Sequence, residues 1–395
     1  MRKNILIHIG SLNAGGAEKS LVSLLSTIPK DKYDIDLLLV RKDGLLMNLI
    51  PSHINILETP LQYKCYSNSP KNIGFYIRHN PKYLIKKLYT AYKYKKSKKE
   101  SLDQCIWSIW KDTFKPLEKK YDVAISYLEG ITNYYILDKV DARKKLIWIH
   151  NEYDKLGYDK NYDAPYFEKA DAIVTISQLC KENLVKNFPL LKERIHILEN
   201  ISNPQLIWDM ANTEIDDPQF NSSAGIFRIL TIGRLTPQKN YLMAIDSARI
   251  LKDKGLEFRW YIIGAGPLKT EIEKRISEQG LDNHVILLGL RANPYAYMKQ
   301  CDIVVQSSMF EGKSIVLDEA KILCKPIVAT CYNTVYDTIE NGINGVITGM
   351  TPESLANGIY NLLKSPEERI RYSKYLRENI TNNMSELHKY INLID

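Results

Sequence analysis

Glu311 and Glu319 are two carboxylates spaced to bind one elongated polar ligand. Glu311 follows an apolar run that predicts a buried strand, and Glu319 lies inside the helix predicted next. Eight helical residues rise about 12 Å, comparable with the span of a nucleoside diphosphate sugar. One carboxylate could accept sugar hydroxyls and the other a ribose, while free amides at the helix start bind the diphosphate. Two solvated helix charges are the alternative that this spacing alone leaves open.

Residues 231–240 form a second segment that could bind a diphosphate. An apolar run ends at Gly233, and Arg234 and Lys239 follow before the next predicted helix. Gly233 lets a phosphate approach the backbone, the planar Arg234 guanidinium can bind two phosphate oxygens, and Lys239 adds a point charge. Taken alone, the segment could also be only a basic loop.

Short apolar runs that alternate with amphipathic segments must position these side chains. Their continuous apolar character predicts parallel sheets covered on both faces, which bind ligands at the carboxyl ends of their strands. In the first half the predicted strands are Ile5–Ile9, Ile35–Val40, Ile54–Leu57, Val123–Ser126, Leu146–His150, Ala172–Ile176 and Ile195–Leu198. In the second half they are Phe227–Ile232, Arg259–Ile263, Val285–Leu288, Ile303–Gln306, Ile327–Ala329 and Gly345–Thr348.

Residues 200–225 interrupt this alternation. The segment is polar and rich in turn-forming residues, so we place a hinge between two domains there. We predict an α/β protein of two doubly wound, Rossmann-like domains that face each other across a cleft. The domains would span residues 1–205 and 206–380, with a C-terminal helix at 381–395 that packs back on the first.

The composition excludes several classes of protein. Of the 395 residues, 45% are hydrophobic and 25% are charged, which excludes a mostly disordered chain. No apolar run approaches the ~18 residues of a spanning helix, and Ile5–Ile9 is too short for a signal peptide. The six cysteines form no C-x-x-C pair, which favours reduced core thiols. We expect a cytoplasmic protein.

In their order along the chain, these motifs resemble those of the retaining glycosyltransferases of family 4, which have the GT-B fold. The resemblance is strong from Arg228 to Gly349, and is weaker but continuous through the first half. It includes Gly264-Ala265-Gly266-Pro267, Leu288-Gly289-Leu290 and Asp302-Ile303-Val304-Val305-Gln306-Ser307. In the first half, Ala14-Gly15-Gly16-Ala17-Glu18 matches the family's glycine loop, and residues 144–151 match a strand that ends with a histidine.

The resemblance implies roles for individual residues. Glu311 would bind hydroxyls of the transferred sugar, Glu319 would bind the ribose, and the loop around Leu290 would receive the nucleobase. The implied catalytic residues are Glu311, Arg234, Lys239 and His150. Arg234 and Lys239 would neutralise the leaving diphosphate, and His150 would bind a donor or acceptor hydroxyl. The implied donor-binding residues are Gly15, Gly16, Gly233, Arg234, Lys239, Leu290, Glu311, Gly312, Lys313, Ser314, Ile315 and Glu319.

The implied reaction is a hexosyl transfer of class EC 2.4 from a nucleotide sugar to a glycan or lipid-linked glycan, with retention at the anomeric carbon. The product would be a bacterial surface polysaccharide: capsule, lipopolysaccharide or exopolysaccharide. In the mechanism commonly proposed for the family, the leaving diphosphate oxygen takes the acceptor proton, and the protein positions the reactants and stabilises charge. A sugar-nucleotide epimerase of the same fold and a non-catalytic, sugar-nucleotide-binding partner subunit remain as alternatives.

The basic excess of the chain lies in its first half. Residues 1–205 hold 33 Lys and Arg against 23 Asp and Glu, and the remainder holds 21 against 23. Eight of these lysines fall within Lys82–Lys99. One face of a helix there is predicted to be apolar and to consist of Tyr83, Leu84, Leu88 and Tyr92. The lysines would occupy the other face. Such a helix can lie on an anionic membrane at the inner face of the cytoplasmic membrane, or simply be solvated; nucleic acid is not an expected partner.

Asp34-Ile35-Asp36 has the D-x-D spacing of a metal site in another glycosyltransferase fold. It precedes a buried strand, and no partner acid is evident in the sequence. We therefore expect no metal and no cofactor beyond the nucleotide-sugar substrate.

Overall fold

Two compact units make up the chain in a computed structural model that describes residues 2–13, 15–97, 101–220, 225–379 and 385–395. Unit 1 comprises Met1–Ile201 and Met384–Asp395, and unit 2 comprises Ser202–Asn383. Each unit is built on a parallel β-sheet with helices between the strands. The prediction of two Rossmann-like α/β domains is confirmed.

The sheet of unit 1 reverses its winding next to its first strand. Its strands are β1 (Lys3–Ile9), β2 (Tyr33–Leu39), β3 (Asn55–Ile56), β4 (Tyr121–Ser126), β5 (Ala142–Ile149), β6 (Ala172–Thr175) and β7 (Ile195–Ile197). They pair in parallel in the order β3-β2-β1-β4-β5-β6-β7. The chain thus winds outward from β1 on one side and from β4 on the other. The carboxyl ends of β1 and β4 mark the point where such a sheet binds ligands.

The helices of unit 1 connect these strands. They are α1 (Gly16–Thr27), α2 (Leu61–Ser67), α3 (Ile73–His79), α4 (Pro81–Lys96), α5 (Leu102–Trp110), α6 (Ile131–Lys139), α7 (Lys160–Phe167) and α8 (Gln178–Asn187). Short 3₁₀ helices of this unit lie at Met47–Leu49, Lys111–Thr113, Tyr153–Lys155 and Pro189–Arg194. Across the described ranges, no helix combines the length and the apolar character needed to cross a bilayer.

Unit 2 repeats the same plan. Its strands are β8 (Phe227–Ile232), β9 (Phe258–Ile263), β10 (Val285–Gly289), β11 (Ile303–Gln306), β12 (Ile327–Thr330) and β13 (Val346–Thr348). They pair in the order β10-β9-β8-β11-β12-β13, so the reversal point lies between β8 and β11. Its helices are α9 (Pro204–Ala211), α10 (Tyr241–Asp253), α11 (Lys269–Glu278), α12 (Pro294–Gln300), α13 (Ile315–Ile322), α14 (Pro352–Lys364) and α15 (Pro366–Glu378), with 3₁₀ helices at Pro237–Lys239 and Val335–Asp337.

Helix α9 corrects the expectation that residues 200–225 are only a turn-rich hinge. The Asn203 side chain caps this helix by accepting from the amides of Gln205 and Leu206, and Pro204 occupies its first turn. Asn-Pro is therefore a helix start here and not a turn. The predicted division between residues 205 and 206 falls within α9, whereas the two units divide after Ile201.

The last described residues form α16 (Glu386–Ile394), which belongs to unit 1. Tyr390 stacks on Trp148 with ring centroids 5.8 Å apart, and its hydroxyl donates to the Glu199 carbonyl at 3.1 Å. Part of the predicted C-terminal helix, residues 381–384, lies outside the described residues.

Helix α4 does not have the predicted division into an apolar face and a lysine face. Tyr83 and Leu84 pack against the core of unit 1, but Leu88 and Tyr92 point outward and are more than half exposed. The prediction was wrong because lysines occupy inward positions, where their ammonium groups reach hydrogen-bond acceptors of the protein. Residues 98 and 99 of the predicted basic stretch lie outside the described residues.

The acidic pair of the D-x-D segment makes structural contacts. Asp36 is buried in β2, and its carboxylate accepts from Lys119 Nζ and the Tyr121 hydroxyl, each at 2.8 Å. Asp34 pairs at the surface with Arg2 at 3.1 Å. Both carboxylates are thus occupied by protein partners.

Candidate functional site

The loops that follow β8 and β11 lie side by side at the reversal point of unit 2. The two strands pair in parallel, so residues 233–240 and 307–314 leave the same edge of the sheet. The Ser307 hydroxyl donates to the Lys239 carbonyl at 2.7 Å and ties the loops together. The two segments that the sequence singled out are therefore parts of one site.

Four side chains donate to the carboxylate of Glu311. Its Oε1 lies 2.5 Å from Lys239 Nζ, and it also accepts from Gln306 Nε2 at 2.9 Å and Ser308 Oγ at 2.6 Å. Its Oε2 accepts from Gln238 Nε2 at 3.2 Å. The Lys239 and Glu311 side chains are only 16% and 9% exposed. Since the donors crowd on Oε1, Oε2 keeps capacity to accept a hydroxyl from a ligand.

Gly233 lies against the side chain of Lys239. A Cβ on Gly233 would come 3.0 Å from Lys239 Cε and 3.2 Å from the hydroxyl of Tyr241, which donates to the Gly233 carbonyl at 2.9 Å. A Cβ on Gly264 would lie 1.9 Å from the Gly233 carbonyl oxygen. Gly264 is therefore needed where the two backbones approach, whereas a side chain at Gly233 would require the Lys239 stem to shift.

Arg234 takes no part in these contacts. It is exposed, and its guanidinium has no hydrogen bond or ion pair with any residue in the described ranges. An exposed guanidinium without a protein partner, on the same loop as Lys239, is available for an anionic ligand. Leu290 is half exposed and follows Gly289, whose φ is +71°.

The start of α13 also faces the loop that carries Glu311. The Ser314 hydroxyl donates to Gln306 Oε1 at 2.7 Å and does not cap the helix. The first-turn amides therefore lack a capping side chain, which favours an anion there. Gly312, Lys313 and Ile315 are partly exposed around this start.

Glu319 is buried on the inner side of α13. It is 1% exposed, and its Oε1 accepts from the Tyr295 hydroxyl at 2.7 Å. Burial, together with the carboxylate, holds the pKa of Tyr295 well above its usual value. The role of Glu319 toward a ribose stays a prediction.

In unit 1, the glycine loop follows β1 and opens α1. Gly16 is the first helical residue, and Gly15 occupies the cap position without a capping side chain. A Cβ on Gly15 would lie 2.2 Å from Glu18 Oε2, so this position needs glycine or a displaced Glu18. Ala14, which belongs to the predicted loop, lies outside the described residues.

His150 follows β5 and is 8% exposed. Its Nε2 lies 2.9 Å from the Tyr127 carbonyl, which can only accept, so Nε2 carries the proton. Its Nδ1 is buried and finds no hydrogen-bond partner within the described residues. Burial lowers the pKa of His150, and the nearby Glu129 opposes that shift only in part. Nδ1 of the neutral ring is therefore a buried acceptor that no described residue uses.

Glu129 is a candidate that the sequence analysis missed. Its carboxylate accepts from the His150 amide at 2.9 Å and from Asn151 Nδ2 at 2.6 Å. It lies just beyond β4, at the reversal point of unit 1, and Gly130 with a φ of +99° follows it. The sequence does show an acidic residue between the end of a predicted strand and a glycine, which is a signal for a site residue. However, only the strand order of the sheet shows that this strand, β4, lies next to β1.

Unit 2 thus brings together Gly233, Lys239, Glu311 and the start of α13. Gly15, Gly16 and His150 belong to unit 1. In the part of the chain that the structure describes, no three His, Cys, Asp or Glu residues are grouped to hold a metal ion. A metal-free reaction stays a prediction.

Residues 212–379, most of unit 2, match the family model described as glycosyl transferases group 1. The chain is 27% identical over 252 residues to an uncharacterized glycosyltransferase of Methanocaldococcus jannaschii, with 58% of this chain and 62% of the relative covered. The chain therefore spans less than two thirds of that relative. It is 28% identical over 327 residues to the Campylobacter jejuni N-acetylgalactosamine-N,N'-diacetylbacillosaminyl-diphospho-undecaprenol 4-alpha-N-acetylgalactosaminyltransferase, with 82% and 80% covered.

A solved structure with a similar fold is that of Anabaena HepE in complex with UDP and glucose. The superposition covers 99% of both chains with a TM-score of 0.69 at 17% identity. The chain has the GT-B fold. Within this GT-B chain, the group 1 match falls on the unit that carries Lys239 and Glu311.

Proposed function

We propose that this GT-B chain is a retaining glycosyltransferase of family 4 that transfers a hexosyl group from a nucleoside diphosphate sugar. The acceptor would be a glycan or lipid-linked glycan of a bacterial surface polysaccharide, at the inner face of the cytoplasmic membrane. The observation that carries the proposal is the meeting of Lys239 and Glu311 at the reversal point of unit 2. Similarity to a transferase whose name gives a diphospho-undecaprenol-linked acceptor supports it.

The diphosphate of the donor would bind between Arg234, Lys239 and the start of α13. The Arg234 guanidinium is exposed and can bind two phosphate oxygens. An ammonium has three protons, so Lys239 can keep its bond to Glu311 and still donate to phosphate. The uncapped first turn of α13 adds backbone amides to the same anion.

The sugar of the donor would bind to Glu311. Its Oε2 has one contact, at 3.2 Å, and can accept from a sugar hydroxyl. The Oε1 contacts to Gln306 and Ser308 fix the carboxylate before any sugar arrives, so little ordering entropy is lost on binding. We assign the ribose to Glu319 and the nucleobase to the loop around Leu290.

In the proposed reaction, the bond from the anomeric carbon to the phosphate oxygen breaks as the acceptor oxygen bonds to that carbon on the same face. The acceptor proton passes to the leaving phosphate oxygen, so no side chain has to act as the base. Arg234 and Lys239 stabilise the negative charge that develops on the diphosphate. Removal of one such preorganised donor typically costs about 3–4 kcal/mol of transition-state stabilisation.

The edge of unit 1 would bind hydroxyls through His150 and Glu129. His150 Nδ1 is an unused acceptor in a neutral ring, which suits a hydroxyl and not an anion. Glu129 fixes the backbone amide of His150 and the side chain of Asn151. We propose that His150 accepts from a donor or acceptor hydroxyl and that Glu129 positions it.

The two alternatives carry less support. The relatives above are described as glycosyltransferases, which disfavours a sugar-nucleotide epimerase. A non-catalytic partner subunit would need neither a preorganised Glu311 nor an unpaired Arg234 guanidinium. Formation of a free epimer from the donor, without transfer, would support the epimerase.

Variants of the two cations test the proposal. We expect Arg234→Ala and Lys239→Ala to lower kcat by about 10²–10³, because each removes charge stabilisation in the transition state. Arg371→Ala on α15 and Lys274→Ala on α11 are matched controls, since both are exposed residues in surface ion pairs of unit 2. Arg234→Ala should melt like the wild type. Wild-type turnover in both Arg234→Ala and Lys239→Ala would contradict the assignment.

A further inference from the structure

Helix α4 carries an exposed apolar stripe. Ile85, Leu88, Tyr89 and Tyr92 are 68%, 53%, 54% and 61% exposed. Their spacing of i, i+3, i+4 and i+7 places all four on one face of the helix, which we call the outer stripe. Such a face normally packs on a protein core, yet here it points away from unit 1. Exposed apolar patches of this kind mark interaction sites.

The opposite side of α4 holds lysines where apolar residues are expected. Lys86 Nζ donates to the Ile109 carbonyl at 2.7 Å, and Lys87 Nζ donates to the Tyr66 carbonyl at 2.6 Å. Lys93 Nζ reaches Ser108 Oγ at 3.0 Å. These bonds fix the rotation of the helix about its axis. The outer stripe therefore cannot turn inward without breaking them.

The charge around the outer stripe identifies the kind of surface it fits. Residues 59–99 contain eleven Lys and Arg and no Asp or Glu. Lys82, Lys95 and Lys96 are exposed on α4 beside the stripe. An aliphatic and tyrosine face bordered by cations matches the boundary between acyl chains and anionic headgroups of a lipid leaflet. The preceding helix α3 packs on α4 and also exposes an apolar side chain, Ile77, at 69%.

We propose that the outer stripe inserts into the interfacial layer of an anionic membrane leaflet, with α4 lying parallel to the surface. Ile85, Leu88 and Tyr92 would enter the acyl boundary, while Lys82, Lys95 and Lys96 contact headgroups. This differs from attachment by lysines alone, because the apolar area supplies binding that salt does not screen. The inference holds whether or not unit 2 transfers a sugar.

Co-sedimentation of the full chain with lipid vesicles tests this proposal. The vesicles are of phosphatidylcholine alone and of phosphatidylcholine mixed with phosphatidylglycerol, each across a salt series. The stripe variant combines Ile85→Ser, Leu88→Ser and Tyr92→Ser. Its matched control combines Leu190→Ser, Tyr336→Ser and Ile370→Ser, which are apolar residues outside α4 that are at least as exposed as their counterparts in the stripe. The melting temperature of each variant checks its fold.

We expect the wild type and the matched control to sediment with the anionic vesicles, and the stripe variant to lose affinity by at least about tenfold. Lys82→Gln, Lys95→Gln and Lys96→Gln together should remove the salt-sensitive part of binding and leave a weaker part that salt does not change. Equal sedimentation of the wild type and the stripe variant would overturn the proposal. The proposal would also be overturned if the wild type did not bind vesicles but formed a dimer that the stripe variant does not form. The stripe would then bind a second copy of the chain.

Discussion

Glu311 shows how a few polar residues beyond a strand end prepare a charged site. Its carboxylate is nearly buried, but hydrogen bonds from Gln306 and Ser308 and the ion pair with Lys239 compensate for its desolvation. Gln306 ends β11 and Ser308 lies two residues beyond it, so the end of the strand sets the position of two donors. The sequence indicated Glu311 and Lys239, but not these supporting residues.

His8 gives a prediction for the pH dependence of stability. It is fully buried in β1, with Nδ1 2.9 Å from the Leu38 carbonyl and Nε2 2.8 Å from the Tyr63 hydroxyl, and burial lowers its pKa to about 4. Between pH 6.5 and about 4 the unfolded chain therefore binds a proton that the folded chain does not, so stability falls as the pH drops.

From about pH 7 to about pH 5, this histidine should remove about 2 kcal/mol from the free energy of unfolding of unit 1. His8→Gln should lack this part of the pH dependence, whatever its own stability. Urea unfolding of both proteins at the two pH values measures the difference. An identical loss in wild type and variant would show that His8 does not stay neutral in the fold.

At the scale of elements, the strands were the most predictable part of the fold. Runs such as Phe227–Ile232 and Ile303–Gln306 are mostly apolar because parallel strands are covered on both faces, and both have the predicted bounds. Since ligand loops follow such strands, the loops around Arg234 and Glu311 could be located as well.

Elements could not be predicted where the local sequence pattern is compatible with two different structures. Asn203-Pro204 starts α9, although the same pair often marks a turn. The rotation of α4 depends on carbonyl acceptors that only tertiary structure places near Lys86 and Lys87. Glu129 is a candidate site residue because β4 pairs with β1, and hydrophobic periodicity in the sequence does not reveal which strands pair.

Helix α16 should contribute strongly to the stability of unit 1. Tyr390 is 1% exposed and stacks on Trp148, so Tyr390→Ala removes a large buried side chain and should cost about 3–5 kcal/mol. Tyr89→Ala is a matched control at an exposed position and should change stability by less than about 0.5 kcal/mol. Urea unfolding measures both. Similar stabilities of the two variants would mean that α16 is not an integral part of the unit.

For the whole molecule, the basic excess and the proposed diphosphate and sugar site of the donor lie in different units. Unit 1 carries the acid-free segment of residues 59–99, and unit 2 carries Arg234, Lys239 and Glu311. Membrane binding and donor binding can therefore be changed separately by mutation. Loss of the outer stripe should leave the binding of a nucleoside diphosphate to unit 2 unchanged.

Catalysis should not depend on a divalent cation. Arg234, Lys239 and the start of α13 already supply positive charge for the leaving diphosphate in the proposed reaction. We expect kcat to stay within about twofold of its starting value after dialysis against EDTA. Activity that disappears with EDTA and returns with Mg²⁺ or Mn²⁺ would contradict the metal-free reaction.

Sugar transfer with retention is tested most directly by analysis of the product. The wild-type chain is incubated with a panel of nucleoside diphosphate sugars and lipid-linked acceptors, and the products are analysed by mass spectrometry and by NMR of the anomeric proton. The proposal predicts one donor for which the acceptor gains a single hexosyl group in the anomeric configuration of the donor. A product of inverted configuration would contradict retention, and a free epimer of the donor with unchanged acceptor would contradict sugar transfer itself.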